Sequence, residues 1–198
     1  MTPKSISGVI LAGGSATRLG GIIKSKIIVA GETILSRMIR VMEEVFDEII
    51  IVTNTPREFE NFRHYKIVSD IFLKKGPLGG IHAAIENSSK DAVFVFAGDM
   101  PYINRKIIED QIKKYNEEES DALVPMIDND IEPLHAIYSV TVQTQLTEYL
   151  KDSDFAVRHF LKNVNTSYIQ MVNNEETRLA FTNVNTPEDL SNFPTLSN

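Results

Sequence analysis

Near the start of the chain a short apolar run breaks into glycines, hydroxyls and cations: Gly8-Val-Ile-Leu-Ala-Gly-Gly-Ser-Ala-Thr-Arg-Leu-Gly-Gly21, with Lys24 just beyond. Val9-Ile10-Leu11 reads as a buried strand, and Gly13-Gly14 interrupts it abruptly. Ser15, Thr17, Arg18 and Lys24 then bring hydroxyls and positive charge to the same place. Bare backbone N–H groups at a strand end, joined by cations, meet the requirements of a phosphate cradle. A residue without Cβ lets the main chain bend there and press against a ligand. The spacing is not that of a Walker A loop, because no lysine falls at the required place, and it is not the dinucleotide G-x-G-x-x-G either.

Other strand ends carry comparable chemistry. A second glycine loop, Lys74-Lys-Gly-Pro-Leu-Gly-Gly80, opens an apolar helix at Ile81 to Ile85. Asp99 follows the strongest strand, Ala92 to Ala97, within Gly98-Asp-Met-Pro101. Strand ends in open α/β sheets face the ligand crevice, so a carboxylate there is well placed for a site. Asn54 and Asp70 each terminate a strand, Glu48 to Thr53 and Lys66 to Val68.

The elements that position these residues alternate. Ile27-Ile28-Val29 leads to a turn at Gly31, and Thr33 caps a helix whose buried face is Ile34, Leu35, Met38, Ile39, Met42, Val45 and Phe46. The β-branched run at 48–53 suits a strand covered on both faces. A short helix is expected after Pro56, and another helix carries Ile107, Ile108, Ile112 and Tyr115. Strand–helix alternation over the first 120 residues predicts an α/β fold with a single doubly wound, mostly parallel sheet flanked by helices. Beyond it, Ala122 to Pro125 and His135 to Tyr138 read as strands around a polar hairpin at Asp128 to Asp130. Helices are expected near 142–151 and 155–162, short strands at 167–172 and 178–182, and a last helix from Pro187 with Thr186 as its cap.

Composition narrows the function classes. The chain has 198 residues, 42% hydrophobic and 24% charged, enough apolar content to bury a core. A formal charge of −7 argues against a non-specific nucleic-acid binder while leaving room for a locally basic anion site. With no cysteine, disulfides, thiolate metal sites and thiol nucleophiles are excluded. The four histidines lack metal-ligand spacing, and His82, His135 and His159 are read as packing or solvent-facing groups. The apolar part of residues 4–14 is too short for a signal peptide, and no run reaches membrane-spanning length. The expectation is a cytoplasmic protein with no membrane and no nucleic-acid partner.

Leu11-Ala-Gly-Gly-Ser-x-x-Arg-x-Gly20 followed by Lys24 resembles the nucleotidyltransferases of molybdenum-cofactor assembly and, more distantly, sugar-nucleotide pyrophosphorylases. Gly76-Pro-Leu-Gly-Gly80, Gly98-Asp-Met-Pro101 and Asn183-Val-Asn-Thr-Pro-Glu-Asp-Leu190 resemble further signatures of the guanylyltransferase branch, and Glu132-Pro-Leu-His-Ala-Ile-Tyr138 its substrate-domain strand. The resemblance spans residues 8–190. Guanylyl enzymes of this group read Leu-Ala-Gly-Gly where cytidylyl relatives read Leu-Ala-Ala-Gly, and position 13 here is Gly.

The resemblance implies a Rossmann-like domain of the nucleotide-diphospho-sugar transferase type over residues 1–198. Its GTP-binding half would run to about residue 120 and its acceptor-binding half over 121–198. It implies transfer of GMP from GTP to the phosphate of molybdopterin, with loss of pyrophosphate. It also implies Mg2+ held by Asp99, and transient contact with other cofactor-biosynthesis proteins. Catalysis would fall to Lys24, Arg18 and Asp99, and nucleotide binding to Leu11, Ala12, Gly13, Gly14, Ser15, Lys24, Asn54, Asp70, Gly76 and Gly80. Asn183 and Asn185 would hold the pterin, and Arg158 is a candidate for the acceptor phosphate. The chain departs from the family at Ile23, where an Asp is usual, so Lys24 and Lys26 both remain candidates for the functional lysine; Leu19 for Met and Gly79 for Ala are milder changes. A cytidylyl- or sugar-phosphate nucleotidyltransferase, or a catalytically weak nucleotide-binding protein, stays open as an alternative.

Overall fold

Successive apolar side chains of each central strand point to opposite faces of the sheet, and that divides the core in two. A computed structural model describes residues 5–13, 15–16, 22–151, 155–185 and 189, with only the backbone of residues 15, 16 and 22. Strand β1 (Ile6–Leu11) leads to a small hairpin, β2 (Ser15–Ala16) and β3 (Ile22–Ile23). A 3-10 turn, Lys24–Lys26, precedes a second hairpin, β4 (Ile28–Val29) and β5 (Glu32–Thr33), turned at Gly31 with φ of 84°. Next come α1 (Ile34–Met42), β6 (Ile49–Val52), a 3-10 segment Pro56–Phe62, β7 (Lys66–Val68), α2 (Gly76–Asn87), β8 (Ala92–Ala97) and α3 (Arg105–Glu117). The second part holds β9 (Ala122–Ile127), β10 (Asp130–Ile131), β11 (His135–Ser139), α4 (Gln143–Tyr149), α5 (Val157–Phe160), β12 (Thr166–Met171) and α6 (Glu175–Ala180).

Eight of these strands form one sheet in the order β10-β9-β11-β8-β1-β6-β7, with β12 paired to β9. The β8-β1-β6-β7 segment is parallel throughout, β11 runs antiparallel to both neighbours, and β12 is parallel to β9. Ile10, Ile51, Phe94 and Phe96 face α1, α3 and α6, where Met38, Met42, Ile108, Tyr115 and Ala180 pack on them. Val9, Ile50, Val93 and Val95 face α2, α4 and α5 through Leu78, Ile81, Leu146 and Phe160. Helices on both faces make the sheet doubly wound, as the alternation predicted.

Three element boundaries differ from the sequence reading. Helix α1 stops at Met42, yet Phe46 stays buried and edges onto the Phe94 and Phe96 rings from the turn beyond. The apolar period therefore outlasts the helix. The second glycine loop is not a loop leading into a helix: α2 begins at Gly76, so Pro77 occupies its first turn and Gly79 and Gly80 lie inside it. Where a strand is expected at 178–182, residues 178–180 instead close α6 and Phe181 and Thr182 form the turn after it. There the Asn174 side chain accepts from Thr177 N at 2.8 Å, and Glu175 and Glu176 complement the helix N-terminus. The Thr186 cap and the helix expected from Pro187 lie, but for Asp189, outside the described residues.

Candidate functional site

The strand order reverses around β1, which has β6 on one side and the later β8 on the other. In such sheets the crevice opens beyond the carboxyl ends of those strands. Two backbone bonds hold the ends together: Ala12 N donates to Val52 O at 2.8 Å and Gly98 N to Leu11 O at 3.1 Å. Gly98 tolerates no larger residue, since a Cβ would lie 2.7 Å from Leu11 O and 3.1 Å from Ala12 Cα.

Above these ends lies a cavity of about 450 Å³. Leu11, Ala12 and Gly13 enter it from β1, Asn54 and Asp70 from beyond β6 and β7, Gly76 and Gly80 from the first turns of α2, and Asp99 from beyond β8. Lys24 joins them from the 3-10 turn. A Cβ on Gly13 would meet nothing within 4 Å, so nothing in the protein's own packing demands glycine there.

The polar groups are arranged in two sets. Lys24 Nζ donates to Asp99 Oδ2 at 2.7 Å and to Asn185 Oδ1 at 2.6 Å. Lys26, two residues on, points elsewhere: it pairs with Glu58 and lies over the Phe59 ring. Asn54 and Asp70 bond reciprocally, Asn54 Nδ2 to Asp70 Oδ2 at 2.9 Å and Asp70 N to Asn54 Oδ1 at 3.0 Å. Lys74, which the sequence reading gave no role, also lines the cavity and holds a left-handed φ of 62°. Its only signal in the sequence is the Lys74-Lys75 pair before Gly76. Gly14 and Arg18 lie outside the described residues, as does the Ser15 side chain.

Asp99 also borders a second, smaller cavity of about 290 Å³, with Glu132, Arg158 and Asn183 on its wall. Val184 N donates to Asp99 O at 2.8 Å, which ties this late segment to the end of β8. Asn183 Oδ1 is buried with no hydrogen-bond partner among the described residues. The Arg158 guanidinium donates to Ile131 O at 2.8 Å. Burial raises the Glu132 carboxyl above the ordinary carboxylate range; Arg158 opposes the rise and Asp130 adds to it. In the sequence Glu132 stands out only as the first residue of a strand motif, and nothing local signals its place in a cavity.

The histidines stay out of both sets. His82 is buried in α2 with Nε2 2.9 Å from Thr147 Oγ1, and burial lowers its pKa. His135 is walled by the Phe94, Phe96 and Phe181 rings, and burial lowers its pKa to about 3. His159 is exposed. Among the described residues no helix is long and apolar enough to cross a membrane.

Relatives share most of this chain. It is 37% identical to a probable molybdenum cofactor guanylyltransferase of Peptoclostridium acidaminophilum, over 94% of the chain and 87% of the relative. It is 32% identical to one of Natranaerobius thermophilus, over 94% and 93%. The fold superposes on the crystal structure of molybdopterin-guanine dinucleotide biosynthesis protein A from Archaeoglobus fulgidus with a TM-score of 0.80, covering 93% of this chain and 95% of that one at 23% identity. The MobA-like NTP transferase domain matches residues 8–168, a span that runs from the cavity floor in β1 through the Asp99 turn to β12. The chain belongs to the MobA-like NTP transferase family.

Proposed function

We propose that this protein transfers GMP from GTP to the phosphate of molybdopterin, making the guanine dinucleotide form of the cofactor and releasing pyrophosphate. The observation that carries the proposal is that Asp99, which borders both cavities, meets Lys24 at 2.7 Å, and Lys24 in turn meets Asn185 at 2.6 Å. One cavity is walled by the glycine motifs and the other by the late Asn183 segment. Donor and acceptor would then approach one charged centre from opposite sides.

In this reaction an oxygen of the acceptor phosphate attacks the α-phosphorus of GTP. A new P–O bond forms, the bond from the α-phosphorus to the bridging oxygen breaks, and pyrophosphate leaves with its electron pair. The acceptor oxygen is already anionic, so no general base is needed. The barrier is the meeting of like charges, which positioning and fixed positive charge reduce. Lys24 would exchange its contacts with Asp99 and Asn185 for phosphate oxygens. The Gly13 backbone would approach the phosphates. Asn54 and Asp70 would hold the nucleoside, and the Asp70 carboxylate suits the N1–H and 2-amino edge of guanine. Asn183 and Asn185 would take the pterin.

The oxygen donors present fit Mg2+. The Asp99 carboxylate and the Asn185 amide oxygen share one ammonium partner, so they stand close together. Among the described residues no group of three or more His, Cys, Asp or Glu side chains is placed to hold a metal ion. Mg2+ commonly takes one or two carboxylates and completes its shell with water and substrate phosphates. Asp99 and Asn185 would hold it, and when bound it neutralises charge on the phosphates. A cytoplasmic location and transient contact with other proteins of cofactor assembly accompany this reading.

A pyrophosphate-release assay with GTP, CTP or ATP, with and without molybdopterin, tests the proposal. Release should need both GTP and the acceptor, and Asp99→Asn should lower kcat at least ~100-fold. Equal release with CTP would assign a cytidylyl enzyme. No release with any nucleotide, despite a thermal shift with GTP, would leave a binding protein.

A further inference from the structure

The second cavity holds hydrogen-bond acceptors that the protein leaves unspent. Asn183 Oδ1 is buried without a partner, and the Glu132 carboxylate, about half-buried on the same wall, makes no hydrogen bond among the described residues. The backbone that presents Glu132 is held on both sides: Glu132 N donates to Pro125 O at 3.0 Å, and His135 N donates to Glu132 O at 3.1 Å. Tyr138 Oη donates to Pro133 O at 2.7 Å and stiffens the same turn. A carboxylate on a rigid turn, out of full hydration and without an internal donor, calls for a ligand that brings donors. Arg158 lies near enough to attract it electrostatically, but the guanidinium donates its hydrogen bond to Ile131 O.

We infer that Glu132 is a specificity-determining residue that reads the N3–H and 2-amino edge of a 2-amino-4-oxopteridine, with Asn183 Oδ1 free to accept from N5–H or N8–H when the pyrazine ring is reduced. Two oxygens of one carboxylate match two parallel N–H donors, the geometry that makes charged bidentate bonds strong. The inference rests on the proposed function in taking this cavity as the acceptor side. It adds the residue that decides which heterocycle fits.

The discriminating ligand pair is pterin and lumazine, in which an oxygen replaces the 2-amino group. Lumazine would set a carbonyl against the Glu132 carboxylate, so the wild-type protein should bind pterin at least ~10-fold more tightly in a fluorescence titration. Glu132→Gln, which offers one donor and one acceptor, should bring the two affinities within about twofold of each other. Glu132→Ala should weaken pterin about tenfold and leave lumazine nearly unchanged. Neither variant should alter the thermal shift produced by GTP and Mg2+. A retained wild-type preference in Glu132→Gln, an absence of preference in the wild type, or a lost GTP shift would each overturn the inference. Pyrophosphate release measured on the wild type alongside separates the two claims. Release with an unchanged preference in Glu132→Gln sinks the edge reader alone. Preference without release sinks the transfer reading alone.

Discussion

Lys24 is the residue on which most of the proposed chemistry turns. Its ammonium bridges a carboxylate and an amide oxygen at the mouth of the cavity, whereas Lys26 is committed to Glu58 and the Phe59 face. Lys24→Ala should therefore lower kcat/KM for GTP by about 100- to 1,000-fold. Lys26→Ala should leave it within about twofold and cost at most ~1 kcal/mol in urea unfolding, the worth of a partly exposed ion pair. Equal losses in the two variants would undo the assignment. Gly13 gives a second prediction at this scale. A Cβ there projects into open space, so Gly13→Ala should change stability by less than ~1 kcal/mol. The methyl would instead project into the nucleotide cavity at the position that separates guanylyl from cytidylyl enzymes in the resemblance, and the preference for GTP over CTP should fall measurably. An unchanged ratio would remove position 13 as a base selector. The glycine and cationic residues of this site were legible in the sequence because their chemistry is local. The choice between two lysines was not, because it depends on which partner each one meets.

At the scale of elements, the β1–α1 contact is tight and capped. Thr33 Oγ1 accepts from Ser36 N at 3.1 Å, and Thr33→Ala should cost about 1 kcal/mol of unfolding free energy. Gly8 sits in β1 under α1 and the turn after it: a Cβ would come within 2.6 Å of Met42 Cε and Phe46 Cδ2. Gly8→Ala should cost about 1–3 kcal/mol, because the Phe46 ring is itself wedged against Phe94 and Phe96 and cannot simply swing away. A midpoint unchanged in urea would show that the ring yields freely. Element type was readable wherever one period ran unbroken, as in the 49–52 and 92–97 strands. It failed at 178–182, where the short apolar run Leu179-Ala-Phe181 reads as a strand but the Asn174 cap and the two glutamates start a helix just upstream. It also misplaced the start of α2, since glycines read as loop while Gly80 packs in the helix against Leu11 of β1 and Val52 of β6.

For the whole molecule, His135 makes folding sensitive to acid. Its ring lies wholly inside the core, and burial depresses its pKa from 6.5 to about 3 in the folded state. The unfolded chain takes up the proton first, so the stability from keeping this ring neutral is present above pH 6.5 and is lost as pH falls towards 3. Between pH 7 and 5 the loss from this residue is about 2 kcal/mol, and His82, shifted the same way, adds to it. Urea midpoints across that range should fall in the wild type and fall less in His135→Phe. Parallel pH curves for the two proteins would exclude His135 as the source.

The amino-acid sequence by itself determined the strand–helix alternation, the two-faced core that follows from it, and the positions of the glycine-rich, carboxylate and amide motifs. Those are properties of residue type and short-range period. Only the tertiary structure decided how the motifs combine. Lys24 meets Asp99 across 75 positions and Asn185 across 161. Asn54 closes on Asp70 across 16, and Glu132 faces a cavity bordered by Asp99. These contacts depend on β8 returning beside β1 and on the late segment docking at its end. Strand order and docking are settled by burial summed over the whole sheet, and no local pattern of residues carries that sum.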